Sequence, residues 1–382
     1  MTRPRILCIS FSDLRADARV LRQLGVLGEF GDVTTVGYGA APDGVSEHLE
    51  IDRSLPSLPQ TLGGVLKLAV RAYGAVDLDA PAVRRALQLV GDRAFDLVVA
   101  NEARAFPLAM KLAGDAPVLG DLHEWAPEER SHVLSWRLLV SPYMWSVCRR
   151  YLPRAAAVTT VNRSIADLYE REFGVRPEVV RNSTRYRESV PSPLDGDRIR
   201  LVHSGGAVPG RSIETMIDAV DVSDERFTLD LYLVGAYGSD SYLDRLRDRV
   251  ERSDRVRIHP PVAPDDLPAT LNSYDLGVFI LPPRTTNHRL MLPNKLFDFV
   301  QARLGLVFSP AVETDALITR YGLGVTTDGF AVDDLVRALE GLTAEQVLEF
   351  KAAAHRAAHE LSSEHDLDVL RRTVQRVLAE VG

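Results

Sequence analysis

Ile199-Arg200-Leu201-Val202-His203-Ser204-Gly205-Gly206-Ala207-Val208-Pro209-Gly210-Arg211 joins an apolar run to a glycine-rich turn, with helical spacing behind it. This order predicts a buried parallel strand, 199–203, that delivers the chain to a strand–helix turn. Glycine lets the backbone approach a ligand closely, and the first N–H groups of the next helix are free to bind an anion. Arg211, expected at the helix start, adds a side chain suited to bidentate contact with phosphate. The stretch also reads as a tight turn with an exposed arginine, and it is neither GxGxxG nor a Walker motif.

The same rhythm runs outward in both directions. Toward the C-terminus, helices are predicted over 211–220, 240–252, 264–273 and 293–303, alternating with strands over 227–234, 255–259, 275–281 and 305–308. Toward the N-terminus, strands are predicted at Ile6–Ile9, Val33–Val36, Asp96–Val99, Val118–Gly120, Ala157–Val161 and Val179–Val180. Helical spacing fills 17–29 and the segment through Leu108 and Ala113. Residues 182–199 are rich in proline, serine and charge and read as a linker. Strand–helix alternation on both sides of a linker predicts two doubly wound parallel sheets. Ligands then bind outside the carboxyl ends of the strands.

Of the 382 residues, 46% are hydrophobic and 26% charged, an ordinary globular balance with length enough for two cores. No apolar run reaches the roughly 20 residues of a membrane span. MTRPRILCIS leads straight into a strand, so no signal peptide is expected. Cys8, in an apolar strand pattern, and Cys148 offer no disulfide framework and no metal-ligand spacing, which suits a reducing cytoplasm. The net charge of -8 argues against nucleic acid as a partner.

Three further segments carry candidate chemistry. In Leu292-Pro293-Asn294-Lys295-Leu296-Phe297-Asp298, Pro293 fits the first turn of a helix, which puts Lys295 at the positive end of the dipole. A cation is disfavoured there unless an anion binds. The chain has only four lysines beside 41 arginines, so lysine is not its generic cation. Asp298 follows on the same face; the plainer reading is a Lys–Asp surface pair. Gly120-Asp121-Leu122-His123-Glu124-Trp125 ends a predicted strand, and carboxylates beside His123 can orient and tune its imidazole. The plainer reading is a hydrogen-bonded loop histidine, and no metal set is recognisable. The loop Ser10–Arg19 lacks dinucleotide glycines; its Asp17 reads equally as a helix cap or a substrate contact.

Together these segments resemble the retaining GT-B nucleotide-sugar glycosyltransferases, glycosyl transferases group 1 or family 4-like, over nearly the whole chain. Asp17-Ala18-Arg19-Val20 looks like that family's D-x-R-V. Asp96 to Glu102 is similar to its D-V-V-x-A-N-D, and Asp121-Leu122-His123-Glu124 to its D-x-H-E. Val180-Arg181-Asn182 resembles V-x-N, and Gly206 to Arg211 the G-x-x-x-x-K/R donor loop. Pro293 to Asp298 is the most specific match, to P-x-K-L-F-E-Y. The chain departs from the family at Ala207, often arginine; at Leu290, often glutamate; at Asp298, a shorter acid; and at Ala302-Arg303-Leu304-Gly305, usually A-G-x-P.

The resemblance implies an α/β chain of GT-B class, two Rossmann-like domains with a cleft between them. The expected boundaries are 1–182 for the acceptor domain, 183–198 for the linker, 199–364 for the donor domain, and 365–382 for a C-terminal helix packing back on the first domain. The implied activity is hexosyl transfer from a UDP- or GDP-sugar to a glycan, lipid-linked or small-molecule acceptor, with retention. A GT-B-like sugar-nucleotide epimerase and a noncatalytic sugar-nucleotide-binding relative are the alternatives. His123, Arg211 and Lys295 carry the chemistry. Gly205, Gly206, Asn294, Asp298, Pro261 and Val262 join Arg211 and Lys295 in holding the donor. Asp17, Arg19, Asn101, Glu102, Asp121 and Glu124 lie on the acceptor side. No cofactor or metal is implied; the nucleotide-sugar is the substrate.

Residues 130–166 contain six arginines and no carboxylate, and Trp125, Trp136 and Trp145 fall in or just before them. Arginine with interfacial aromatics suits peripheral contact with an anionic membrane at its cytoplasmic face. The plainer reading is a core-packing helix pair with a solvated face. Pro142 predicts a break between two helices.

Overall fold

Ile6, Leu7, Cys8 and Ile9 are wholly buried, as a strand covered on both faces must be. They belong to β1 (Arg5–Asp13), an interior strand of a seven-stranded parallel sheet. The computed structural model describes residues 3–235, 240–263 and 266–380. The chain divides into two units. The first comprises Met1–Arg181, Thr285–Asn287 and Asp366–Gly382; the second comprises Asn182–Arg284 and His288–His365. Both are Rossmann-like α/β units.

In the first unit β1 is followed by α1 (Ala18–Phe30), β2 (Asp32–Tyr38) and β3 (Glu47–Ile51). Next come α2 (Leu62–Ala69), α3 (Pro81–Val90), β4 (Leu97–Asn101), α4 (Phe106–Ala113) and β5 (Val118–Leu122). A π-helical turn, Trp136–Val140, runs directly into α5 (Ser141–Tyr151), and β6 (Ala157–Thr160), α6 (Arg163–Phe173) and β7 (Glu178–Val179) complete the unit's main run. The strand order is β3-β2-β1-β4-β5-β6-β7. The order reverses between β1 and β4, which opens a crevice at their carboxyl ends.

The second unit runs β8 (Ile199–Ala207), α7 (Ile213–Val222), β9 (Phe227–Gly235), α8 (Asp240–Val250), β10 (Val256–His259), α9 (Leu267–Leu271) and β11 (Leu276–Phe279). The short α10 (Thr286–Leu290) precedes α11 (Asn294–Gln301), β12 (Gly305–Phe308), α12 (Val312–Tyr321), β13 (Gly324–Thr326), α13 (Val332–Glu340) and α14 (Ala344–Ala357). Its six strands are ordered β10-β9-β8-β11-β12-β13, all parallel, with the switch between β8 and β11. Lys351 of α14 is buried and ties that helix to the sheet: its Nζ lies 2.9 Å from Asp275 Oδ1 and 2.7 Å from the Tyr274 carbonyl.

α15 (Ser363–Ala379) places Leu370, Val374 and Val377 among Ile6, Val20, Leu24 and Val99 in the core of the first unit. Their i, i+4, i+7 spacing makes one apolar stripe, each side chain worth about 1.5–3 kcal/mol when buried. Arg181 pairs with Asp366 at 2.7 Å near the start of this stripe.

Several expectations need correction. α7 begins at Ile213, not 211, because Ser212 is its N-cap, in the left-handed region at φ 52°. Arg211 therefore precedes the helix. Pro293 is the N-cap of α11 rather than its first residue, with extended backbone at ψ 141°. Residues 264–265, in the expected helix 264–273, lie outside the described residues, and α9 covers only Leu267–Leu271. Pro142 causes no break: it sits in the first turn of α5, where its missing N–H is harmless, and the preceding π-helical turn absorbs the mismatch.

Candidate functional site

The first unit places its chemistry at the β1–β4 switch. Asp121 ends β5 in a buried polar network. Arg19 holds it with Nε to Oδ2 at 2.8 Å and Nη2 to Oδ1 at 2.6 Å, while Nη1 donates to the Val180 carbonyl at 2.7 Å. Thr159 Oγ1 donates to Asp121 at 2.6 Å, and Gln23 Nε2 approaches at 3.3 Å. Despite burial, the Arg19 charge and the His123 contacts hold the Asp121 carboxyl well below its usual range. Asn101 donates to Gln23 at 2.9 Å and to the Ile9 carbonyl at 3.3 Å. Arg19, Asn101 and Asp121 are thus floor residues, buried and mutually engaged. Asp17 caps α1, accepting from Val20 N at 3.2 Å.

His123 sits on this floor, half-buried. Its Nδ1 is 3.1 Å from Glu102 Oε1, and its Nε2 stands 3.3 Å from Asp121 Oδ2, out of line for a full hydrogen bond. Burial disfavours the charged imidazole, but the Glu102 charge and the contacts with Asp121 and Glu102 outweigh it, and the pKa is pushed up to about 10. His123 is therefore a cation at neutral pH, a hydrogen-bond donor and not a base. Glu102 has φ 68° and ψ 152°, a region almost reserved for glycine. Such strain is worth about 1–3 kcal/mol and concentrates where a ligand is gripped. Burial, then the charges of Glu102 and Glu129, push Glu124 up to about 8. Asn287 Nδ2 donates to Glu124 at 2.7 Å, and its Oδ1 accepts from Trp125 N at 2.8 Å. Glu102 Oε2 and Arg104 Nε are buried without a hydrogen-bond partner among the described residues, so capacity remains for a polar ligand.

The second unit places its chemistry at the β8–β11 switch. Gly205 has φ 142°, and a Cβ there would stand 2.4 Å from Nζ of Lys295. The glycine therefore opens the space the ammonium occupies. Lys295 is the second residue of α11, which no side chain caps, and its Nζ lies 5.7 Å from the centroid of the Phe279 ring. It carries no ion pair among the described residues. Burial, then the Arg211 charge, lower its pKa to about 8 against a smaller opposing pull from Asp298. The same cations, after burial itself, help hold His203 down at about 3. A Cβ on Gly210, at φ 87°, would meet Nη1 of Arg284 at 2.7 Å, which brings a third cation to the turn. Asp298 accepts from Thr184 Oγ1. Gly206 is the penultimate residue of β8, paired with Val234 of β9, Asn294 is exposed at the first position of α11, and Pro261 and Val262 follow β10 in a loop.

The structure thus gathers Gly205, Lys295 and Arg211 in one unit, and Arg19, Asn101, Glu102, Asp121, His123 and Glu124 in the other. Sequence reasoning missed Gln23, Arg104, Thr159, Asn287, His203 and Arg284. None stands in a recognisable motif; Arg284 follows two prolines in a loop, and Asn287 reaches Trp125 only through the fold. No group of His, Cys, Asp and Glu able to hold a metal ion occurs among the described residues.

Two Rossmann-like units, each with polar chemistry at its switch point, define the GT-B class. Solved structures share this fold. Anabaena Alr3699/HepE in complex with UDP and glucose is 14% identical, covering 98% of this chain and 100% of that one, with a TM-score of 0.71. Sucrose-phosphate synthase from Thermosynechococcus elongatus is 15% identical over 99% and 100% of the two chains, with a TM-score of 0.68. The trehalose 6-phosphate synthase of Burkholderia multivorans is 10% identical over 100% of both, also at 0.68. Residues 48–184 match the profile of Glycosyltransferase Family 4, and the chain shares the GT-B fold with these structures. No curated protein matches its sequence.

Proposed function

We propose that this chain transfers a hexosyl group from a UDP- or GDP-sugar to an acceptor hydroxyl, with retention at the anomeric carbon. The observation that carries the reading is Lys295: a half-buried ammonium without an ion pair among the described residues, at the uncapped positive end of α11, in space that Gly205 leaves open. That combination is unfavourable until a dianion such as a diphosphate binds. The match of 48–184 to Glycosyltransferase Family 4 and the UDP held by the Anabaena relative support it.

Lys295, Arg211 and the first N–H groups of α11 take up the charge of the departing nucleoside diphosphate as the bond to the sugar breaks. Asp298 accepts from the ribose hydroxyls; Gly206, Asn294, Pro261 and Val262 line the donor. On the acceptor side, His123 as a cation donates to a sugar or acceptor hydroxyl. Because it is protonated at neutral pH, as is Glu124 at about 8, neither takes the acceptor's proton. That proton passes to the leaving diphosphate oxygen as the new glycosidic bond forms on the same face.

The test is calorimetric titration with UDP and GDP, followed by a panel of sugar nucleotides scored by thermal stabilisation, since ligand bound to the native state raises stability. Binding of one nucleotide by the wild type and its loss in Lys295→Ala is expected. Equal binding by both would overturn the donor assignment. Turnover of donor into an epimer without any acceptor would overturn transfer while keeping the donor site.

A further inference from the structure

We propose that the outer face of α2, together with the turn 133–140, docks this chain on an anionic lipid bilayer. Leu62, Val65, Leu66 and Val70 recur at i, i+3, i+4 and i+8, yet the stripe faces outward: Leu62 is 94% exposed and Leu66 65%. Only Leu68 of α2 turns its apolar side chain into the unit. Beside α2, Leu134 stands out just before the π-helical turn and Leu138 from it, Leu138 at 63% exposure. A cavity of about 350 Å³, walled by Leu58, Val65, Leu68, Trp136 and Leu139, separates the two elements.

The surrounding charge says what covers this surface. Residues 58–71 and 130–151 hold six Lys and Arg and no carboxylate, in a chain whose net charge is -8. Lys67 and Arg150 are engaged by Asp79 and Asp77. Arg71, Arg130, Arg137 and Arg149 are exposed and carry no ion pair among the described residues. Aliphatic side chains that can enter the acyl boundary, rimmed by cations that can meet phosphate headgroups, form an interfacial surface. A second copy would oppose the same four cations, so self-association through this face is disfavoured.

The surface differs from the one that sequence composition suggests. Trp125 and Trp136 are buried, and Trp125 packs with Trp145, Tyr169 and Phe173 at ring separations of 5.5, 4.7 and 5.6 Å. Trp125 and Trp136 therefore belong to the core, Trp145 is half-buried against Trp125, and the aliphatic stripe takes the interfacial role. No helix among the described residues is long and apolar enough to cross a membrane, so contact is peripheral.

Cosedimentation of the full chain with phosphatidylcholine vesicles, with and without phosphatidylglycerol, at low and high salt tests this without any sugar nucleotide and so independently of the donor assignment. The wild type is expected to pellet with anionic vesicles at low salt and far less at high salt or with neutral ones. Leu66→Asp with Leu138→Asp, at exposed positions, abolishes pelleting while melting temperature and UDP binding are kept. Arg137→Ser with Arg149→Ser weakens binding on the order of tenfold or more. The proposal is overturned if the wild type stays in the supernatant, if both double variants pellet as it does, or if the leucine pair instead dissolves a dimer in sedimentation velocity.

Discussion

Nδ1 of His123 lies 3.1 Å from Oε1 of Glu102, and the Glu102 backbone adopts φ 68° to present that carboxylate. A strained residue thus holds an imidazolium at the carboxyl end of β5, above a floor set by Arg19 and Asp121. The linkage sign follows. The folded pKa, about 10, exceeds the ordinary value of 6.5. The stabilisation is complete below about 6.5, declines above it and is gone beyond 10. Glu102→Gln should therefore destabilise the protein most near pH 6.5, and the gap to wild type should close as pH rises toward 10. Urea denaturation across that range checks it; a constant gap would show that Glu102 does not charge His123.

Lys295 titrates near 8 in the free protein. Diphosphate binding needs the ammonium, so UDP affinity should be flat below pH 7 and fall up to tenfold per unit above 8. Arginine keeps its charge, so Lys295→Arg should flatten the alkaline limb. Calorimetry from pH 6 to 9 decides; an unchanged alkaline fall in the arginine variant would assign it to another group.

Gly205→Ala forces a Cβ into the space of the Lys295 ammonium at a φ that favours glycine. The expected loss in UDP binding is roughly 1.5–3 kcal/mol, the worth of a hydrogen bond to a charged group. Gly206→Ala, whose Cβ would meet only Val208 at 3.4 Å, should be far milder. Equal effects from the two would remove the link between Gly205 and Lys295.

Asp121→Asn leaves Arg19 buried beside a neutral partner. Removing one member of such a pair costs about 3–5 kcal/mol, so the melting temperature should fall well below that of Arg211→Ala, where an exposed cation is removed. If the two variants melt together, the floor is not what supports His123.

Much of this was legible in order along the chain. Apolar runs such as Ile6–Ile9 can only be buried strands, and the apolar stripe of α1 requires a sheet to pack on. Lysine at a helix start is a local contradiction between charge and dipole, so Lys295 could be read without a fold. Other features depend on separations no local pattern encodes. Thr159 reaches Asp121 only because β5 and β6 are neighbours, and Arg284 meets Gly210 across 74 positions of chain. The charge that does most to set His123 at about 10 comes from Glu102, just beyond β4, with Asp121 of β5 adding to it.

Two alternating α/β halves and the cation at α11 can be read along the chain, because periodicity and dipole are properties of neighbouring residues; the expected end of the strand at His203 cannot, since β8 runs on through Gly205 and Gly206 to Ala207, paired with β9. Which polar residues form the buried floor, and which apolar residues face outward, depends instead on contacts between distant parts of the chain. Trp125 and Trp136 lie in the interior while Leu62 and Leu66 stand outside, a sorting by packed volume that no local pattern measures.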